Sequence, residues 1–571
     1  MKRNLYTLIS LIALAGMILV ACGAKPTEVP AVVVTEAPVV TEAPVVVTEA
    51  PVVAYVGEKL EAPDCNYGGN IKSIEAVDEL TVKFTFCAAE PAFVAKVGSV
   101  EAFNIYDADY LKETGGDAVA MNDNPVGTGL YMVSEWVRGD HITFVPNPNY
   151  FGDDAPANST FILKWNKEAA ARLLDLQSGN ISGIAEVTAD DLATIKADPN
   201  LQLAPRKINN FLYLGINNTK PPFDNEKVRQ AFAMLINKQQ IVDDFYAPGS
   251  VPATQFVPAG VKPGFTDGFV DTTYDMAKGV EMLKAEGFDF NKEYTLSYAE
   301  RTRPYFPQPT KIAQAVQAQL AEAGIKVKLE MEEWATYLPA TRAGEKELFF
   351  LGWSEDYPDA TNWYDVFLTG SSAAFGNAFP DIVENIKKAA ASGDPVERQK
   401  LYDEVNKLYA QHVPTIVIAH GTVNQAYLAS VENVQIGPYN ENFNLMKTAD
   451  GTVVFSQDGE PVSLFCADET DGNSFRACNL IFSKLYKFTT TSIAEPDLAE
   501  SCTGNADATE WTCVLKKGVL FSNGAKLDAN DVVASFAAGM DYNNPLRKGN
   551  TGTYQYFKDL FGPKVINQPA E

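Results

Sequence analysis

The feature that most constrains this chain is at its start. Lys2 and Arg3 form a basic pair, an apolar run extends from Leu5 to Val20, and the run closes on Ala21-Cys22-Gly23. It is short for a membrane-spanning helix and ends in small residues, so it reads as a cleaved export signal. No later stretch is long and apolar enough to span a bilayer. The fold must therefore be one that forms outside the cytoplasm. Its formal charge of −27 argues against a nucleic-acid partner, because phosphate recognition needs a basic footprint. At 571 residues with 46% hydrophobic side chains, the chain can bury several cores, and it has neither the composition nor the repeat of a rod or a disordered polymer.

Leu19-Val20-Ala21-Cys22 resembles the bacterial lipoprotein box, in which the cysteine is lipidated and becomes the mature N-terminus. Residues 1–22 are accordingly expected to be a lipoprotein signal peptide, with Cys22 the lipid anchor. Residues 23–54 are rich in Pro, Thr and Val, and 35–51 read TEAPVVTEAPVVVTEAP. Proline at that density resists helix and sheet, so this segment is expected to be a solvated stalk. With Cys22 set aside, six cysteines remain in three close pairs. An even remainder in an exported chain reads as disulfides, and no CxxC-like spacing suggests a metal. Spacing does not prove connectivity; the expected pairs are Cys65–Cys87, Cys466–Cys478 and Cys502–Cys513.

From residue 55 the periodicities mix helix and strand. Val82, Phe84 and Phe86 alternate with Lys83 and Thr85, with Asp78-Glu79 where a hairpin turns. Residues 224–242 place Val228, Phe232, Leu235 and Ile236 on one helical face, with Asp224 as the expected N-cap. Residues 311–323 predict a second helix, stopped by Gly324 and followed by a strand through Ile325, Val327 and Leu329. A third helix is predicted over 398–410, before a buried strand at Ile416, Val417 and Ile418. The fold class expected from these patterns is α/β with α+β character, not a bundle or a sandwich.

Five segments stand out: PVGTGLYMVSEWVRGDHITFVPNPNY at 125–150, TKPPFDNEKVRQAFAMLINKQQIV at 219–242, LAEAGIKVKLEMEEWATY at 320–337, LGWSEDYPDATNW at 351–363, and the stretch 495–536 from EPDLAESC to DVVASF. All five resemble segments of family 5 extracellular solute-binding proteins of ABC importers, which include oligopeptide- and dipeptide-binding proteins. Leu130 departs from the family's usual proline. Cys502 and Cys513 stand where tryptophan and phenylalanine are common, at positions facing each other across a hairpin, which supports their pairing. The order also departs. The segment at 495–536 opens the family's sequence, whereas here it follows everything else. The chain therefore resembles a circular permutation, with the old ends fused near Leu445–Val454. Permutation is tolerated where the new ends lie in an exposed loop, and it implies that residues near Tyr55 and near Val565 share a lobe.

The resemblance implies a two-lobed periplasmic-binding-protein-like clamshell with a third, smaller lobe. The small lobe would take 55–154 plus 496–571, the first large lobe 155–255 plus 430–495, and the second large lobe 256–429. A peptide or other small solute would bind between the large lobes. By position, Asp356 matches the aspartate that pairs with a peptide's α-ammonium. Trp353, Tyr357 and Trp363 would offer apolar walls, with Trp334 and Tyr337 as weaker candidates; core packing is the alternative for each. Arg301 and Arg303 could meet a ligand carboxylate or simply be solvated. Gly127-Thr128-Gly129 reads as a structural turn. Implied partners are ABC permease subunits and a membrane through the lipid anchor, with the protein a monomer outside the cytoplasm.

Catalysis finds no motif. GxSxG, HExxH and Walker A patterns are absent, and His141, His412 and His420 are isolated, so structural roles are expected for them. Glu332-Glu333 resembles an acid dyad, but among 73 acidic residues such pairs arise by chance. No catalytic residue, metal or cofactor is expected. The alternatives to a peptide importer's receptor are a receptor for a sugar, nickel complex or haem, a sensor or scavenger without a transporter, and a secreted enzyme on a binding scaffold.

Overall fold

The computed structural model describes residues 55–153 and 156–569. The signal peptide, the stalk and Cys22 lie outside the described residues. Residues from Tyr55 onward form one compact unit.

Three main sheets organise it. The first is antiparallel and draws on both ends of the chain, in the order Lys59–Glu61, Ile71–Asp78, Thr81–Phe86, Glu510–Leu515, Ala499–Gly504. Ile74, Ala76, Val82 and Phe84 turn to a buried face, covered by the apolar helix Ala529–Met540, where Phe84 meets Phe536 at 5.3 Å. Near the two termini, the Tyr55 hydroxyl bonds the carboxylate of Asp528, and the Asn70 amide donates to the Phe561 carbonyl at 2.7 Å.

The second sheet has seven strands: Tyr131–Val137, His141–Pro146, Thr160–Trp165, Thr452–Gln457, Gly183–Ile184, Val423–Leu428, Leu201–Arg206. The third has six: Val251–Pro252, Thr415–His420, Asn210–Ile216, Leu348–Ser354, Glu293–Ala299, Lys326–Glu332. Its central strand, Asn210–Ile216, is buried along its whole length, as a strand covered on both faces must be.

All three expected disulfides are present, at Cα separations of 5.4, 6.4 and 4.0 Å for Cys65–Cys87, Cys466–Cys478 and Cys502–Cys513. Cys502 and Cys513 stand directly opposite in an antiparallel pair. Consecutive hairpin ladders carry 131–165 into the seven-stranded sheet, and the strand at 210–216 is integral to the six-stranded one. The helix expected over 224–242 is two helices, Glu226–Leu235 and Lys238–Phe245. Asn225, not Asp224, caps the first. Asn237 interrupts the run by capping the second, its side chain accepting from the Gln240 amide.

Gly127 and Gly129 are structural, as expected. A Cβ at either would fall 2.2–2.4 Å from the backbone of Ile481, against which this turn is pressed.

Candidate functional site

The six-stranded sheet is built from one uninterrupted stretch, 210–420, and the chain joins it to the seven-stranded sheet through two short crossings. One is Lys207-Ile208-Asn209, between strands 201–206 and 210–216. The other is Gly421-Thr422, between strands 415–420 and 423–428. The crossings are tied to each other. The Asn210 side chain accepts from the Gly421 amide and donates to the Gly421 carbonyl, both at 2.8 Å, and the His420 ring donates from Nδ1 to the Asn210 carbonyl. Burial pushes His420 down to about 4, so it serves here as a neutral hydrogen-bonding spacer. Two adjacent crossings with few other covalent links are the geometry of a hinge.

A cavity of about 500 Å³ lies beside the crossings. It is within the range that holds small organic ligands. Asn209 of the first crossing lines it. So do Arg206 at the end of the preceding strand, Glu355 just after the six-stranded sheet's strand 348–354, and Tyr439, Glu441 and Arg476 from the seven-stranded side. Glu186 also lines it, in a left-handed backbone conformation with φ of 50°, a strained setting for a non-glycine residue.

Charge is arranged unevenly around this cavity. Glu441 is 5% exposed and lies 3.2 Å from Arg476 and 3.5 Å from Arg206. Burial alone would push its carboxyl up, but the two guanidiniums outweigh burial and hold it at about 2. Glu101 is similarly paired, with Lys484 at 2.7 Å. Glu355 has no such partner. Its carboxyl accepts from Asn209, the Tyr439 hydroxyl and, at 3.2 Å, the Trp363 indole, all neutral donors. Removal from bulk water pushes it up to about 8 against those hydrogen bonds, and adjacent Asp356 adds to the rise. Burial also raises Asp356, opposed by the Asn362 amide, which donates at 3.2 Å.

The sequence-predicted residues separate in this setting. Asp356 is half-buried next to Glu355. Trp353 is half-buried, its indole N–H 3.3 Å from Asn362 Oδ1. Tyr357 is 8% exposed, with the Lys96 ammonium over its ring at 5.1 Å. Trp363 and Tyr337 are wholly buried and pack within the core rather than at the cavity lining. Trp363 packs on Phe211 at 5.0 Å, and the Tyr337 hydroxyl donates to the Phe350 carbonyl at 2.7 Å. Trp334 is covered instead by Arg301 and Arg303, at 4.9 and 5.8 Å from its ring, which occupies those arginines away from the cavity. His412 lies between Glu226 and Asp381, at 2.7 and 2.8 Å, as a structural bridge. Among the described residues no acidic, cysteine and histidine cluster is set to hold a metal, and no helix is long and apolar enough to cross a membrane. Sequence reasoning missed Glu355, although it adjoins Asp356. It also missed the Glu441, Arg476 and Arg206 group, whose members are far apart in the chain.

The six- and seven-stranded sheets, joined by two short crossings, flank a polar cavity. The family described as bacterial extracellular solute-binding proteins, family 5 Middle, matches residues 50–375 and 494–567, and the chain belongs to it. Di/tripeptide-binding protein 1 of Pseudomonas aeruginosa (strain UCBPP-PA14) is 32% identical over 404 residues, covering 68% of this chain and 73% of that protein. Heme-binding protein A of Haemophilus influenzae is 29% identical over 358 residues, 61% of this chain and 64% of that protein. Among solved structures, HbpA2 from Haemophilus parasuis matches with a TM-score of 0.59 at 25% identity, covering 66% of this chain and 76% of that one.

Proposed function

We propose that this chain is the extracytoplasmic receptor of an ABC importer, capturing peptides between its two bodies and passing them to the permease subunits. One observation carries the reading. Glu355 at the cavity and adjacent Asp356 are both drawn away from water, and among the described residues no lysine or arginine forms an ion pair with either. A peptide's α-ammonium is a cation of the required kind, and a charge-assisted hydrogen bond to it is among the strong ones. The name of the Pseudomonas aeruginosa relative supports peptides as the solute.

In this reading Asp356 receives the ammonium, and Trp353 and Tyr357 border the bound chain. Cys22 carries the lipid, residues 23–54 hold the body off the membrane, and the protein works as a monomer without catalysing a reaction. The chain is a circular permutation of its family's order. This is supported by the mixed origin of the five-stranded sheet and by the late family match at 494–567.

Native mass spectrometry of a soluble form beginning at Tyr55, compared with the same sample denatured, tests the function. Extra mass in the native spectrum alone, sequenced as short peptides, is the expected result. A single discrete non-peptide mass would overturn peptides in favour of another solute, of which haem is the case suggested by the Haemophilus influenzae relative's name.

A further inference from the structure

The peptide reading gives Asp356 the ammonium, but Glu355 is the member of the pair that lines the cavity. Its position is also mechanical. Asn209 holds it from the hinge crossing, and the Tyr439 hydroxyl reaches it from the seven-stranded side, so one carboxyl joins both bodies and the hinge. Asn209 also donates to Ser492 Oγ at 2.8 Å. Resting on the peptide reading, we propose that Glu355 is a second acidic contact for the solute's cationic nitrogen, and that the solute docks there by exchanging its positive charge for the carboxyl proton.

The exchange balances simply. The Glu355 carboxylic acid and an alkylammonium become a carboxylate–ammonium pair, and one proton leaves to the buffer. The surroundings favour this. The groups facing Glu355 are neutral Asn209, Tyr439 and Trp363, with Asp356 beside it on the same loop, and Arg206 is turned to the carbonyls of Pro438 and Tyr439. The other charged groups of the cavity are engaged elsewhere: Glu101 with Lys484, and Glu441 and Glu186 with Arg476. Asp458 is exposed. Glu355 has neutral donors to orient it and no cation to keep it charged, and it lies in a medium that strengthens any ion pair formed there. The carboxyl's value near 8 supports a proton being present to exchange at neutral pH.

Isothermal titration calorimetry tests this on the full chain in mild detergent, with trialanine and N-acetyl-trialanine at pH 6.5 in buffers of different ionisation enthalpy. At that pH the trialanine amine is already almost wholly protonated. The expected result is release of close to one proton per trialanine bound, and loss of that release in Glu355→Gln with binding at least tenfold weaker. A second readout does not depend on the variant: for the wild type, release should decline as pH rises toward 8. Binding of trialanine without proton release, or with equal release in Glu355→Gln, would overturn the exchange and leave the peptide reading standing. Equal binding of the acetylated peptide would overturn the amine contact itself. If neither peptide binds, the exchange falls together with the peptide reading.

Discussion

Glu441 and Glu355 line the same cavity, yet their carboxyls are held at opposite ends of the titration range, at about 2 and about 8. Loss of water pushes both in the same direction. The difference is in the partners. Glu441 has two guanidiniums within 3.5 Å, whereas Glu355 has an amide, a phenol and an indole. The first is part of the scaffold, its charge settled by the protein itself. The second is oriented but not neutralised by the protein. A polar cavity can therefore contain both structural and recognition acids, and the count of nearby cations separates them better than exposure does.

The largest effect that would sharpen this contrast is on stability. Glu441→Gln leaves Arg206 without its carboxylate and Arg476 with only the more distant Glu186, and breaking a buried pair on one side costs about 3–5 kcal/mol. At pH 4, where the Glu355 carboxyl is protonated in the fold and largely so in the unfolded chain, Glu355→Gln should change stability by no more than about 1 kcal/mol. Urea unfolding of both variants decides it, and equal losses would break the comparison. The pH dependence should also run in opposite directions. Glu441, depressed in the fold, contributes stability that is full above an unfolded value near 4.3 and is lost as pH falls toward 2. Glu355, raised in the fold, contributes stability that is full below about 4.3 and is lost as pH rises through about 8. The stability of the wild type relative to Glu355→Gln should therefore decline by up to about 1.4 kcal/mol per pH unit between those limits. Asp365, Asp531 and Glu469, each raised to about 7 by burial, titrate in the same window, so the difference from the variant is the informative quantity.

Where local pattern decided structure, it was legible. The alternation at 82–86, the helix stopped at Gly324, the apolar strand at 416–418 and the three cysteine pairs all depend on neighbours in sequence. Asn237 shows the limit, because the helical face through 224–242 is real but one cap residue divides it. Aromatic residues near Asp356 were the least legible. Nothing in the sequence distinguishes Trp363, closed in by Phe211, from half-buried Trp353. Sheet membership was illegible for a related reason, since it is set by pairing partners up to hundreds of residues away. Glu355 was adjacent to the chosen aspartate, but its lack of a cation is a property of three dimensions.

A smaller effect separates the two acids of the pair. Asp356→Asn should weaken binding of free-amine peptides by about 10- to 100-fold, the scale of a hydrogen bond to a charged group, and leave N-acetylated peptides within about threefold. Fluorescence titration with matched peptides measures both. Equal losses would remove Asp356 from ammonium recognition and leave Glu355 as the acid that faces the solute.

The smallest effect is the most discriminating. Tyr439→Phe deletes one neutral donor to Glu355 while keeping the ring that packs on Phe488 at 4.8 Å. At pH 6, where Glu355 carries its proton, the loss is one hydrogen bond between neutral groups, worth about 1 kcal/mol. At pH 9 the same phenol would face a carboxylate, and hydrogen bonds to charged groups are worth roughly twice as much. The cost of Tyr439→Phe in urea unfolding should therefore grow between pH 6 and pH 9, and the growth should vanish when Glu355→Gln is combined with it. A cost independent of pH would mean that Glu355 is already ionised at pH 6. It would then be a settled charge like Glu441, and the contrast between the two acids would collapse.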